Sequence, residues 1–189
     1  MTTKQVLEQV AVFLGKEDLL ACPYFTNSEE EINDADAKEL DMLLRCLNLI
    51  VGEIATDYLP IYKSKEVVFI NNQLRLTDID ENIYQLAKIE DEFACPVRFK
   101  IYDNMIHANV KNAKVFYTSF ATKCTLEGEV ENFNNLMSPR VLAYGTAMEY
   151  SFISSLFDDA SIWESRYKNA LLVLSNKKYN KVMPKRRWL

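Results

Sequence analysis

The stretch D-A-K-E-L-D-M-L-L-R-C-L-N-L-I-V-G-E-I-A-T-D-Y, residues 36–58, decides the fold. Leu40, Leu43, Leu44, Leu47, Ile50, Val51, Ile54 and Tyr58 recur at spacings of three and four and form one broad apolar stripe over roughly five helical turns. Asp36 with Glu39 three positions later makes a capping arrangement at its start, and Pro60 ends it. Water penalises so much exposed apolar surface, so other helices or a sheet must cover the stripe. An intermolecular coiled coil is the other way to cover it, and core is the favoured reading.

Beyond Pro60 the period changes. From Lys65 to Phe120 apolar residues alternate instead of recurring at helical spacing. V-V-F-I-N-N-Q-L-R-L from Val67 reads as strand, Asn-Asn turn, strand, and I-Y-Q-L-A-K-I from Ile83 as another strand. V-R-F-K-I-Y-D-N-M-I-H-A-N-V from Val97 reads as a hairpin with Asp103 and Asn104 at its tip. In it Val97, Phe99 and Ile101 oppose Arg98, Lys100 and Tyr102, so one face is buried and one is wet. Lys114–Phe120 adds a strand with Val115 and Tyr117 opposed to Phe116, which makes about five antiparallel strands.

Helix lies on both sides of this run. Thr2 or Thr3 caps a first helix with Val6, Leu7, Val10, Phe13 and Leu14 on one face and Gly15 as its stop. Residues 18–34, interrupted by Pro23, read as a loop ending in an acidic cluster. After a polar loop over residues 121–137, Ser138 and Pro139 are a helix cap and first-turn proline. Val141, Tyr144, Met148, Phe152 and Leu156 mark the buried line of that helix, and Gly145 and Ala147 admit a close neighbour. Asp158 or Asp159 caps a last helix carrying Ile162, Trp163, Tyr167, Ala170, Leu171 and Leu174.

The fold class is therefore α+β: a helical bundle drawn from both chain ends, an inserted small antiparallel sheet or sandwich, and an extended C-terminal arm. The expected divisions are N-terminal helices over 1–62, the β insertion over 63–120, C-terminal helices over 121–176 and the arm over 177–189.

Composition narrows the functional classes. No apolar run is long enough to span a bilayer, and the first residues lack a secretory pattern, so a cytoplasmic site of synthesis is expected. Cys22, Cys46, Cys95 and Cys124 are scattered singly, the usage of a reducing compartment. The single histidine, His107, sits near no matching ligand pair, and its alternation places it on the polar face of the hairpin. No glycine-rich phosphate loop occurs. Glu29–Glu31 and the pair Asp158 and Asp159 are better explained as a solvated loop and a helix start than as catalytic carboxylates. No enzymatic activity and no cofactor or metal are expected.

The net charge of −5 hides a segregation. Residues 17–41 carry Glu17, Asp18, Glu29, Glu30, Glu31, Asp34, Asp36, Glu39 and Asp41 against Lys38 alone. From Lys177 onward stand Lys177, Lys178, Lys181, Lys185, Arg186 and Arg187 with no acid. Either both are solvated faces, or they meet partners of opposite charge, copies of the same chain included. The run from Tyr179, Y-N-K-V-M-P-K-R-R-W-L, cannot stay helical through Pro184 and ends on Trp188 and Leu189, the tryptophan being a type enriched in interface hot spots. The acidic total weighs against DNA recognition as its main task.

The run from Pro139 to Leu171, P-R-V-L-A-Y-G-T-A-M-E-Y-S-F-I-S-S-L-F-D-D-A-S-I-W-E-S-R-Y-K-N-A-L, with the chain closing from Met183 on M-P-K-R-R-W-L, resembles the head-to-tail adaptor (connector) proteins of tailed bacteriophages and prophages. The order of elements also fits, with N-terminal helices, a β portion containing V-R-F-K-I-Y from Val97, and C-terminal helices ending in an arm.

The resemblance implies a structural virion protein at the neck, assembled in the host bacterial cytoplasm, that forms a homo-oligomeric ring of about twelve subunits below the portal. Such a ring extends the DNA channel, passes double-stranded DNA without sequence recognition and offers a platform to a tail or nozzle protein. It involves no membrane. Carried onto this chain, the resemblance assigns Lys177, Lys178, Lys181, Lys185, Arg186, Arg187, Trp188 and Leu189 to portal docking. It leaves Glu29, Glu30, Glu31, Asp34 and Asp36 either lining the channel or facing solvent. The rival expectation is a soluble, non-enzymatic interaction or regulatory protein that binds an acidic partner through its basic arm.

Overall fold

The computed structural model describes residues 1–131, 133 and 137–177, the side chains of 175–177 excepted. The chain is α+β; among the described residues, helices flank a run of six strands. It divides into two compact units, Met1–Ile50 with Cys124–Leu189, and Val51–Lys123.

Helix α1 (Thr3–Phe13) begins at a reciprocal cap: the Gln5 N–H donates to Thr2 Oγ1 at 3.3 Å and the Thr2 N–H donates to Gln5 Oε1 at 3.2 Å. Thr2 is thus the cap, and Thr3 is buried as the first helical residue. Gly15, at φ +65°, takes the left-handed position just past the end, which a side chain would strain.

The segment expected to be a loop instead holds two single-turn helices, α2 (Glu17–Leu20) and α3 (Pro23–Thr26). Pro23 opens α3 instead of breaking the chain, because its missing N–H is not needed in a first turn. Helix α4 (Asp34–Glu53) starts earlier than expected and is capped by Asn33, whose Oδ1 accepts from the Asp36 N–H at 2.8 Å. Its stripe is core as expected, with Leu40, Leu43, Leu47, Ile50 and Val51 buried. The stripe does not reach Tyr58, because the last turn, Ile54–Tyr58, is a π-helix with Leu59 N–H on Ile54 O. The wider turn shifts the helical phase toward its C-terminal end, and Tyr58 is 40% exposed.

The Val51–Lys123 unit contains strands β1 (Ile61–Val68) and β2 (Gln73–Arg75), the short helix α5 (Leu76–Ile79), and strands β3 (Ile83–Asp91), β4 (Phe99–Tyr102), β5 (Met105–Ala108) and β6 (Asn112–Ser119). The expected antiparallel sheet or sandwich of about five strands takes the form, among the described residues, of two antiparallel sheets of three, in the orders β1-β6-β3 and β2-β5-β4. Both expected turns form. Asn71 and Asn72 have φ of 53° and 62°, and Asp103 and Asn104 have 47° and 62°, the left-handed pairs that tight hairpins require. The Asn-Asn turn nevertheless separates strands of different sheets, since β1 pairs with β6 and β2 with β5. Ile89, Val115 and Tyr117 pack with Phe69, Leu74 and Ile106 into one core.

Helix α6 (Pro139–Ile153) starts on Ser138, whose Oγ accepts from the Arg140 N–H at 3.3 Å. It is buried nearly all round, including Leu142, Ala143, Thr146 and Ala147, and so is the centre of its unit. Helix α7 (Phe157–Lys177) begins before Asp158 and Asp159, which occupy its first turn instead of capping it. Phe13, Tyr144 and Trp163 stack with ring centroids 5.2–5.9 Å apart and join α1, α6 and α7.

Candidate functional site

The acidic segment divides by role. Glu29, Glu30 and Glu31 stand exposed in the loop before α4, and none of them has an ion pair among the described residues. Asp34 is exposed, while Asp36 is half-buried and its Oδ2 accepts from Asn33 Nδ2 at 2.8 Å, so it belongs to the helix start. Asp41 pairs with Arg45 at 2.8 Å.

Glu39 turns inward, with Oε1 2.5 Å from Lys16 Nζ, and Lys16 lies 4.6 Å over the Tyr150 ring. Burial works against both charges. For Glu39 the bonds to Lys16 and Tyr150 outweigh burial and hold its carboxyl below the usual range. For Lys16 burial is likewise overcome by the Glu39 and Tyr150 bonds, and its pKa is raised. Glu39 stabilises the fold above the ordinary glutamate range and loses that contribution as pH falls through its depressed value; Lys16 loses its contribution as pH rises through its raised one. The pair is at full strength between these limits. Glu39→Gln is expected to cost about 1 kcal/mol near neutrality. The difference from the parent protein should close as urea titrations are carried down through the carboxylate range; a gap that persists at low pH would reject the ion pair as its cause.

Of the arm residues, Lys177 is the last residue of α7, whereas the sequence places it at the start of the extended arm. Lys178, Lys181, Lys185, Arg186, Arg187, Trp188 and Leu189 lie outside the described residues.

Two further surfaces stand out, one hidden from the sequence and one only partly legible in it. The first is apolar. Phe152, Ile153, Leu156 and Phe157 are 40–64% exposed at the corner between α6 and α7, although Phe152 and Leu156 are expected on the buried line. The reason is the corner itself. Helix α6 stops at Ile153, Ser155 reverses the backbone at φ 59°, and the period of α6 does not extend to Leu156. Ile162, expected on the buried face of α7, is also 52% exposed. Four large apolar side chains crowded on one turn form the kind of patch that partner chains cover.

The second surface is charged. In the sheet β2-β5-β4 the register aligns Gln73, His107 and Lys100 in one row and Arg75, Met105 and Tyr102 in the next. These residues share the face opposite Leu74, Ile106 and Ala108, which are buried. Arg98 projects to the same side by alternation, and Tyr102 meets His107 edge to face at 5.8 Å. A groove of about 650 Å³ runs along Asn72, Arg98, Lys100, His107 and Asn109 with no carboxylate in its lining. Arg75, Arg98 and Lys100 are exposed and form no ion pair among the described residues.

The other sheet treats its lysines differently. Lys63 pairs with Asp80 at 3.5 Å, Lys88 with Glu90 at 2.6 Å, and Lys65 donates to the carbonyls of Asp78 and Ile79. Asp80 also accepts from the Asn82 N–H and the Tyr117 hydroxyl, and these bonds with Lys63 hold its carboxyl below the usual range. Burial and the bond to Asp80 push the Tyr117 phenol up to about 12. A groove of about 660 Å³ on this sheet is lined by Glu66, Glu90, Asp91 and Glu92 with Lys114. Glu92 and Asp91 are spent on Asn112 Nδ2 and on the Phe93 and Cys95 N–H groups. Among the described residues no three His, Cys, Asp or Glu side chains gather as a metal site.

The fold and these faces define an α+β protein whose described surface offers contact areas of three kinds: acidic, apolar and basic. No protein-family model matches the chain, and no curated protein matches it in sequence. No helix among the described residues is long and apolar enough to cross a membrane.

Proposed function

We propose that this chain is a structural virion protein that forms a ring adaptor below the portal of a tailed phage, extending the DNA channel and joining head to tail. The observation that supports the reading best is the exposed apolar corner Phe152, Ile153, Leu156 and Phe157, a surface suited to contact with another chain. A heterologous contact repeated around a closed ring supplies that contact to every copy. The wording of residues 139–171 and 183–189 supports the same reading, as does the basic composition of the arm, suited to docking many times over by avidity. The partners are the portal protein, a tail or nozzle protein, further copies of the chain, and the duplex that passes through the ring. The mechanism is geometric, with no covalent step.

The test is to mix the purified protein with portal rings and image the mixture by electron microscopy. Coaxial rings are the expected result, and a lone monomer that ignores portals overturns the proposal. Deleting residues 178–189, which lie outside the described residues, is expected to leave the fold stable, with thermal unfolding within about 2 °C of the parent. Attachment to portal rings should be abolished, and undiminished attachment would reject the docking role of the arm.

A further inference from the structure

We infer that the bare positive face of β2-β5-β4 receives the acidic loop Glu29–Glu31 of a second copy of this chain. The inference rests on the ring reading and names one of the contacts that would close it.

Three observations carry it. First, Arg98 and Lys100 are exposed cations in a groove with no carboxylate in its lining, whereas the neighbouring sheet pairs or caps Lys63, Lys65 and Lys88 within the chain. Cations left without counter-charges on an ordered strand pair invite an anionic partner. Second, the same chain presents three consecutive glutamates, all exposed and none ion-paired among the described residues, in a loop with no strand or helix of its own. Of the carboxylates that follow, Asp36 is engaged by Asn33, Glu39 by Lys16 and Asp41 by Arg45, while Asp34 is exposed like the three glutamates. Third, the scale fits a short peptide segment better than a duplex. Arg98 and Lys100 in one groove match a short run of carboxylates, while a phosphate backbone running on past Arg75 would meet Glu66 and Asp78, which line the groove that holds Arg75. A face and a loop at different places on each copy make a head-to-tail contact, the type that closes rings.

The experiment uses the full chain and two variants, R98E/K100E and E29K/E30K/E31K. Every changed residue is exposed and keeps its surroundings hydrogen-bonded, so folding is checked by circular dichroism and thermal melting. Sedimentation velocity at about 50 mM and about 500 mM salt reads assembly. The parent is expected to assemble, and each variant alone should need about tenfold more protein or higher to half-assemble at low salt. An equimolar mixture of the two should recover parental assembly, because the reversed face of one meets the reversed loop of the other, and the two alternate around a ring of even number.

Parental assembly that neither variant weakens overturns the contact and leaves the ring standing. A monomer in every sample overturns both. Duplex or single-stranded DNA is titrated in parallel by fluorescence anisotropy. DNA affinity lost in R98E/K100E with assembly unchanged makes the face a nucleic-acid site and also overturns the contact.

Discussion

Replacing Asn48 by leucine is expected to lower the thermal midpoint by roughly 6–12 °C, the size of a loss near 3 kcal/mol in a chain of this length. Asn48 is half-buried on α4 and uses its whole amide. Its Nδ2 donates to the Leu44 and Cys124 carbonyls at 3.0 and 3.2 Å, and its Oδ1 accepts from the Cys124 N–H at 2.7 Å. One side chain thereby serves both backbone groups of Cys124, at the start of the irregular segment that carries the chain back to α6. Leucine fills a similar volume but leaves that N–H and C=O without partners, and an orphaned buried group costs about 1–3 kcal/mol. Aspartate should not rescue, since a carboxylate would accept from the N–H and face two carbonyls with no donor. Cys124→Ala, which keeps the backbone bonds, should cost far less. Thermal melts of the three variants check the ranking; a leucine variant within about 2 °C of the parent would mean that water substitutes for the amide.

This clamp shows why part of the structure is legible in the residues and part is not. Thr2 and Ser138 read as caps, and Asn71–Asn72 and Asp103–Asn104 as turns, because each depends on a few neighbours and on backbone angles that particular residues favour. The Asn48–Cys124 bonds join positions far apart, and nothing in the local pattern distinguishes Asn48 from any polar residue on a helix flank. Strand partnership is hidden for the same reason. Alternation marks strands on both sides of Asn71–Asn72, from Val67 and up to Leu76, although β1 begins earlier, at Ile61; only the assembled core assigns β1 to β6 and β2 to β5.

The candidate surfaces obey the same rule. Arg98, Lys100 and Tyr102 share a face by alternation alone, but Arg75 joins them only through the pairing of β2 with β5 and β5 with β4. Glu29–Glu31 are legible as a solvated charge cluster, while Asp36 and Glu39 only mimic a cap, because Asn33 takes that role from one position outside the helix. The apolar corner is hidden because apolar residues on both sides of a turn look like a continued stripe. Sequence reports that Phe152 and Leu156 are apolar; whether they are covered depends on where the helix stops.

Two glycines inside helices should respond to alanine with opposite signs, and the larger effects belong to Gly145. Helix propensity alone favours alanine over glycine by about 1 kcal/mol at either place. At Gly52 in α4 a Cβ would meet nothing within 4 Å, so G52A should keep that gain and stabilise by roughly 0.5–1 kcal/mol. At Gly145 in α6 a Cβ would lie 2.8 Å from Ile50 Cγ2, 3.0 Å from Ile50 Cδ1 and 3.0 Å from Tyr167 Cε2. Ile50 Cγ2 branches directly from its own Cβ and cannot swing aside without changing rotamer, and Tyr167 is buried. The helices must therefore separate slightly, and overpacking of this kind costs about 1–3 kcal/mol, enough to reverse the propensity gain in G145A. A leucine at the same place should cost about 3 kcal/mol or more, or prevent folding. Chemical denaturation of G52A, G145A and G145L gives the decisive comparison. If G145A proves more stable than the parent, the close approach of α4, α6 and α7 at this glycine is wrong. The Ile50→Val variant supplies the mechanism: removing the Cδ1 methyl should soften the G145A penalty without touching G52A, a coupling that only direct contact produces.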